Sequence, residues 1–537
     1  MARSPRAELL AIQKRLWRWN RELIDHSILV KEPGFASYER AYKRAVARHL
    51  KPVDHEEMIE AVLRSEVIYV GDYHTCNQSQ RSFLRILKAV VRRDKRFALG
   101  MELLHKRHQE VLDRYLDGRI SEATFLKRIK LKEHWVFDLW ENFKPLFDFC
   151  RYHGVRMYAI DAAPSGSDVR ARDAASARLL ARIVKSNPGK RLFVLIGDLH
   201  IAPLHLPADL SRELAKAGLR RRSLSLYENS EAIYWRLAER GLDDRVEVVL
   251  LPDGNYCRMH TPPVVCQRSY LNWLEHEEGE IDYADAKSSF LEIVDRICEF
   301  LKVRLGKERD EVEVFTCGDL SFLKKLSESG KFAKREIETI KRQILASESY
   351  YIARTRFVYL ANLSLNHAAE EASHFIKSVC SGEEKPREVV DAFYANILHE
   401  GLGFFGSKII NHKRKCYHER DFENLLAYFQ SVRVPRERML EHETAALVTE
   451  YKRMERKGRA LAYTDIFRSR MDLFLAVTHA LGYMLGDRLY YGLVGGRVKK
   501  ADIRELFCDP WEDEGAPVEA YMRIFRKVRG VRIPKRM

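Results

Sequence analysis

Between Glu66 and Tyr256 the chain alternates short, mostly apolar runs with stretches long enough for a helix. That alternation restricts the fold more than any other feature. The runs are Val67–Val70, Phe97–Met101, Val155–Ile160, Leu192–Ile196, Ser223–Leu226 and Val246–Leu251. A strand that is apolar on both sides must be covered on both sides. Strands of this kind separated by helix-length segments form βα units, a mostly parallel sheet with helices on both faces. The intervening segments suit that role. Gln78–Arg92 carries Phe83, Leu84, Leu87 and Val90–Val91 at helical spacing, and His108–Leu116, Ser121–Ile129 and Ala171–Val184 follow.

The flanks have a different texture. Residues 1–63 read as a helical segment, with Leu9, Leu10, Ile12, Leu16 and Trp17 on a helical period and a break at Pro33-Gly34. The α/β pattern occupies residues 64–260, and Pro252, Gly254, Pro262 and Pro263 mark its end. Residues 270–537 read as a mostly α-helical domain. The helices expected there are Ala284–Val303, Lys334–Leu365, Ala368–Cys380, Val389–Leu398, Glu419–Val432, Arg436–Glu455 and Thr464–Leu485, with one strand at Val312–Thr316. At 537 residues the chain is too long for one ordinary core, which fits such a division.

The chemistry gathers where strands end. Val67–Val70 runs into Gly71-Asp72-Tyr73-His74, and Leu192–Ile196 runs into Gly197-Asp198-Leu199-His200. Two Gly-Asp-x-His copies at equivalent positions predict a shared site, because open α/β sheets bind ligands beyond the carboxyl ends of their strands. Glycine allows a sharp turn and close approach. An imidazole can ligate iron or zinc, and a nearby carboxylate can orient it. Alternatively, Asp72 and Asp198 simply cap the elements that follow. Phe97–Met101 ends in Glu102, Met157–Ile160 ends in Asp161-Ala162-Ala163-Pro164, and His205 follows His200 on a proline-rich turn.

These motifs occur in one order: Val-Gly-Asp-Tyr-His, Gly100-Met101-Glu102, Trp135–Trp140 followed by Phe143 and Pro145, Asp161–Pro164, and Gly197–His200 with His205-Leu206-Pro207. In that order the segment from Val67 to Tyr256 resembles the ChaN-like haem-binding family of the Tiki superfamily. The resemblance implies an α/β domain that binds haem, with His74 as axial ligand and Tyr73, Glu102, His200 and His205 around the cofactor. Other branches of the superfamily are metal-dependent hydrolases. By that likeness Asp72, His74, Glu102, Asp198 and His200 would hold a divalent ion such as zinc or manganese. The first motif departs from the family in having Asp72 where Glu is usual, a carboxylate one methylene shorter.

A net charge of +16 favours anionic partners, haem propionates among them. No nucleic-acid recognition motif accompanies the charge, so a nucleic-acid partner is not expected. The nine cysteines include no Cys-x-x-Cys pair; Cys257 precedes His260 by three and Cys416 precedes His418 by two, but neither has a second pair to complete a zinc motif, so buried or idle thiols in a reducing compartment are expected. Neither a signal peptide nor an apolar run of membrane-spanning length is visible, so the expected address is cytoplasmic. In the helical half His367, Glu371 and His374 share a helix face, read first as a polar face with an aromatic core behind it and alternatively as a second cluster for metal or tetrapyrrole. Gly401–Gly406 lacks the lysine and the preceding strand of a phosphate loop.

Overall fold

The computed structural model describes residues 4–27, 34–130, 139–164, 167–277, 283–316, 319–345, 349–352, 354–361, 364–382, 385–459 and 465–534. The described residues of Trp17–Ile281 form one compact unit, and those of Met1–Leu16 and Asp282–Ile533 form another.

The first unit is built on an eight-stranded sheet. Its strands are β1 (Lys51–Val53), β2 (Val67–Asp72), β3 (Phe97–His105), β4 (Arg156–Asp161), β5 (Arg191–Gly197), β6 (Ser223–Glu228), β7 (Val248–Leu250) and β8 (Tyr256–Arg258), in the spatial order β1-β7-β8-β6-β2-β5-β3-β4. From β8 to β4 every neighbouring pair is parallel; only β1 with β7 and β7 with β8 are antiparallel. The doubly covered parallel sheet expected from the apolar runs is therefore present. All six residues of β2 are buried, as a central strand covered on both faces requires. The helix Asn77–Val91 buries Phe83, Ile86, Leu87 and Val90, one face at helical spacing. Phe83 meets Phe193 of β5 at 5.9 Å between ring centroids.

One register sets the site. β2 pairs with β5 so that Gly71 lies opposite Ile196 and Asp72 opposite Gly197. The two Gly-Asp-x-His motifs therefore leave the sheet side by side, although well over a hundred residues separate them in sequence. The segment before β2 contributes the helices Pro5–Ser27, Phe35–Ala45 and His55–Arg64 and also the short edge strand β1, which the helical reading of residues 1–63 did not foresee.

The second unit is mainly helical. The expected strand at Val312–Thr316 appears as β9 (Glu313–Thr316). The helix expected over Lys334–Leu365 ends at Leu345, and β10 (Tyr350–Ile352) and β11 (Phe357–Leu360) follow as a hairpin that pairs Tyr350 with Tyr359. Tyr, Ile, Phe and Val favour the pleated sheet, and Arg354 turns the chain at φ 65. Gly401–Gly406 sits inside the helix Val389–Ile410. Interior glycines cost a helix about 1 kcal/mol each, and here they permit close contact. A Cβ on Gly403 would stand 2.7 Å from His374 Nε2, and one on Gly486 of the helix Met471–Val494 would stand 2.9 Å from Phe404 Cβ. Among the described residues no helix is long and apolar enough to cross a membrane.

Candidate functional site

Glu102 is the hub of a polar cluster at the carboxyl ends of β2, β3 and β5. Its side chain is buried, and a buried carboxylate needs several partners to remain charged. Glu102 Oε1 accepts from Arg172 Nη2 at 2.6 Å, and Oε2 accepts from the Gly197 amide at 2.8 Å. His74 Nε2 lies 3.7 Å from Oε2, and His200 Nε2 lies 3.8 Å from Oε1. Burial alone would raise the Glu102 pKa, but the charges of His200, His74 and Arg172 with the Gly197 amide hold it below the ordinary value.

Each imidazole is aimed by a carboxylate behind it. His74 Nδ1 lies 2.7 Å from Asp72 Oδ2, and Gln80 Nε2 donates to the other Asp72 oxygen at 2.6 Å. Burial opposes a charge on the His74 ring, yet the hydrogen bond and charge of Asp72, with Glu102, raise its pKa above 6.5. His200 Nδ1 lies 2.6 Å from Asp173 Oδ1, and the Tyr38 hydroxyl donates to Asp173 Oδ2 at 2.8 Å. Asp173 is wholly buried, while the His74 side chain keeps 28 % of its surface exposed. His74 is thus the imidazole of this pair that opens toward solvent.

Asp198 faces away from both rings. Its carboxylate accepts from the Tyr42 hydroxyl and, at 3.1 Å, from the Glu228 amide. Burial pushes its pKa up to about 7 against the pull of Tyr42 and Arg258. Gly71 explains itself here: a Cβ at that position would fall 2.7 Å from Asp198 Cγ and closer still to Oδ1. A Cβ on Gly197 would lie 3.5 Å from His74 Nε2 and 3.6 Å from Glu102 Oε2, so that glycine keeps open the floor between the two.

The structure brings His74, Glu102 and His200 together and stations Asp72 behind His74. Two expected residues stand elsewhere. Burial raises the pKa of the Tyr73 phenol well above 10, and the ionisable groups that act on it are Cys266, Cys76, Glu231 and Tyr270 rather than the imidazole pair. His205 is fully buried, donates through Nδ1 to the Leu199 carbonyl at 2.7 Å and stacks on Tyr38 at 3.6 Å. Of the expected five-residue ion set, His74, Glu102 and His200 lie together, Asp72 holds His74 through Nδ1, and Asp198 is bonded by Tyr42 and the Glu228 amide. In the helical unit Glu371 accepts from the Tyr351 amide at 2.6 Å, while His374 faces His399 and Gly403, so the His367–Glu371–His374 face is divided.

Sequence reasoning missed Tyr38, Tyr42, Arg172 and Asp173. Tyr38 and Tyr42 lie four apart on the helix Phe35–Ala45, a spacing that puts both phenols on one face. Asp173 sits in the helix Val169–Ser186 among the small neighbours Ala174, Ala175 and Ala177, with no local sign of its burial.

Residues 58–166 match the family model described as haem-binding uptake, Tiki superfamily, ChaN. Over those residues the α/β unit is similar to the ChaN family. The matched stretch carries Asp72, His74 and Glu102, while Asp173 and His200 come from beyond it. The Trp135–Asp138 part of the expected motif order lies outside the described residues, whereas Trp140, Phe143 and Pro145 lie on the helix Trp140–His153. Protein RETICULATA-RELATED 5, chloroplastic, from Arabidopsis thaliana is 23 % identical over 112 residues, which is 20 % of this chain and 15 % of that relative's length. A solved structure of cofacial haem binding to ChaN of Campylobacter jejuni covers 33 % of this chain and 87 % of its own, at 14 % identity and a TM-score of 0.27.

Proposed function

We propose that the ChaN-like unit binds haem and that His74 supplies the axial nitrogen. One observation carries the reading: an imidazole whose Nδ1 is anchored on a buried aspartate and whose side chain keeps 28 % of its surface at the rim of the sheet. A carboxylate on Nδ1 fixes the proton there, which leaves the lone pair on Nε2, and makes the ring a stronger donor to iron. The donor set suits haem in a second respect. Arg172, which is paired with Glu102, and Arg170, which lies over the Tyr38 ring, are cations of the kind that pair with propionates. Haem, when bound, would supply the iron and its redox or transport chemistry; the chain's own residues orient His74, hold Glu102 charged and keep the floor at Gly197 clear. By the same reading Glu102 and His200 border the iron side of the crevice, and the role is in haem or iron handling.

The experiment is a hemin titration of the full chain followed by absorption. Wild type is expected to shift the Soret band with a stoichiometry that saturates, and His74→Ala is expected to lose or change the low-energy ligand-field features. No shift in wild type, or an identical spectrum and affinity in His74→Ala, would sink the proposal.

A further inference from the structure

We propose that Cys416, His418 and Asp487 form a second, separate metal site in the helical unit, suited to zinc. Cys416 and His418 lie on the turn between the helices Val389–Ile410 and Glu419–Ser431, and Asp487 projects from the helix Met471–Val494. His418 Nε2 is 3.1 Å from Asp487 Oδ2, Cys416 Sγ is 3.8 Å from His418 Nε2, and the three donor atoms lie within 4.8 Å of one another.

Those spacings match a single ion. Zinc bonds of about 2.3 Å to sulfur and about 2.0–2.1 Å to nitrogen and oxygen, at the tetrahedral angle, put S and N about 3.6 Å apart and N and O about 3.3 Å apart. The observed 3.8 and 3.1 Å need adjustments of only a few tenths of an ångström. The donor types agree as well. A thiolate, an imidazole and one carboxylate select a borderline-soft ion such as zinc over magnesium or calcium, which want oxygen alone. Three protein ligands leave a fourth position, and the His418 side chain is 31 % exposed, so water reaches it.

The surroundings hold the donors in place. Lys408 Nζ binds the other Asp487 oxygen at 2.5 Å and is itself buried against the rings of Tyr490 and Tyr491. That pairing directs Oδ2 toward Cys416 and His418, the part a carboxylate-orienting neighbour takes in metal sites. The turn is fixed by the His418 amide, which donates to Asp421 Oδ2 at 2.8 Å, and by the Arg414 amide, which donates to the Asn411 carbonyl at 2.9 Å. On binding, the Cys416 thiol gives up its proton to solvent, and the thiolate and Asp487 carboxylate, less the Lys408 ammonium already on Asp487, set one net negative charge against the two of the ion. The Cys-x-His pair alone looked incomplete in sequence because its third donor comes from a helix far downstream.

The test is cobalt titration of the metal-free full chain. One equivalent of Co2+ is expected to give a sulfur-to-cobalt charge-transfer band and the intense visible bands of a four-coordinate ion, and Zn2+ should bleach both. Cys416→Ser should abolish the charge-transfer band. His418→Asn, a partly exposed change that spares the Lys408–Asp487 pair, should weaken binding by at least about tenfold. His74→Ala should leave the cobalt spectrum unchanged, which separates this site from the haem proposal. Absence of the charge-transfer band in wild type, its survival in Cys416→Ser, or its loss in His74→Ala would each overturn the assignment.

Discussion

Gly71→Ala tests the geometry at its tightest point. The new methyl group would stand 2.7 Å from Asp198 Cγ and closer to Oδ1, well inside the 3.0 Å below which something must shift. The backbone offers little relief, because Gly71 is paired with Ile196 of β5 and the residues before it, up to Val70, are also paired with β6. Asp198 must therefore rotate and give up its bonds from the Tyr42 hydroxyl and the Glu228 amide. Well above pH 7, where Asp198 is ionised, hydrogen bonds to its charged carboxylate contribute about 1.5–3 kcal/mol each, so the loss there is about 3–6 kcal/mol. Urea unfolding of Gly71→Ala, Asp198→Ala and the double variant measures it. In the Asp198→Ala background the two closest atoms are gone and Asp198 Cβ stays at 3.2 Å, so Gly71→Ala is expected to cost less than about 1 kcal/mol, a strongly non-additive cycle. A loss below about 1 kcal/mol in the single variant, or an equal loss in both backgrounds, would refute the account.

Other predictions concern protons and packing. A protonated imidazole cannot ligate iron, and the His74 pKa lies above 6.5, so hemin affinity should fall with decreasing pH through a midpoint above 6.5; in Asp72→Asn that midpoint should move toward acid, and a wild-type midpoint below 6.5 contradicts the reading. Asp198 has a pKa raised from 3.8 to about 7, so its contribution to stability is complete below 3.8 and is lost as pH rises through about 7. Asp198→Asn should therefore gain on wild type by about 2–3 kcal/mol between pH 5 and pH 8 in denaturant titrations, and a pH-independent difference would count against it. Gly486→Ala should destabilise the helical unit by about 1–3 kcal/mol or more despite alanine's better helix propensity, because its Cβ would press closest on the Gly401 carbonyl oxygen and also meet Phe404 Cβ at 2.9 Å and the Phe405 amide at 3.0 Å; a more stable variant by thermal melt would show that the two helices have room to part.

The sheet and the strand-end histidines were legible because both rest on local signals. A run apolar on both faces reports its own burial, and a repeated Gly-Asp-x-His reports its own turn. The spatial order of the strands was not legible, since nothing in Val67–Val70 names Leu192–Ile196 as its neighbour rather than Phe97–Met101. The same limit hid Asp173 and Tyr38, which matter only through the tertiary contact that sets them behind His200. Tyr73 and His205 drew attention by closeness in sequence to His74 and His200, but the Tyr73 phenol is buried among Cys266, Cys76 and Glu231, and the His205 ring is held by the Leu199 carbonyl and Tyr38. In the helical half the Tyr350–Leu360 hairpin was lost to a helical period because its aromatic residues fit either pattern over so short a stretch.

The placement of β2 has a bearing on how this protein can be divided. The stretch matched to the ChaN family, residues 58–166, includes β2, β3 and β4 but neither β5 nor β6. In the spatial order those two missing strands are the ones that flank β2 on either side. Expressed alone, the stretch would present two raw edges along a strand that is otherwise wholly buried, an arrangement prone to self-association. Excision at the borders of the sequence match would thus yield an aggregate, whereas a fragment that runs on through β6 keeps β2 seated between its partners.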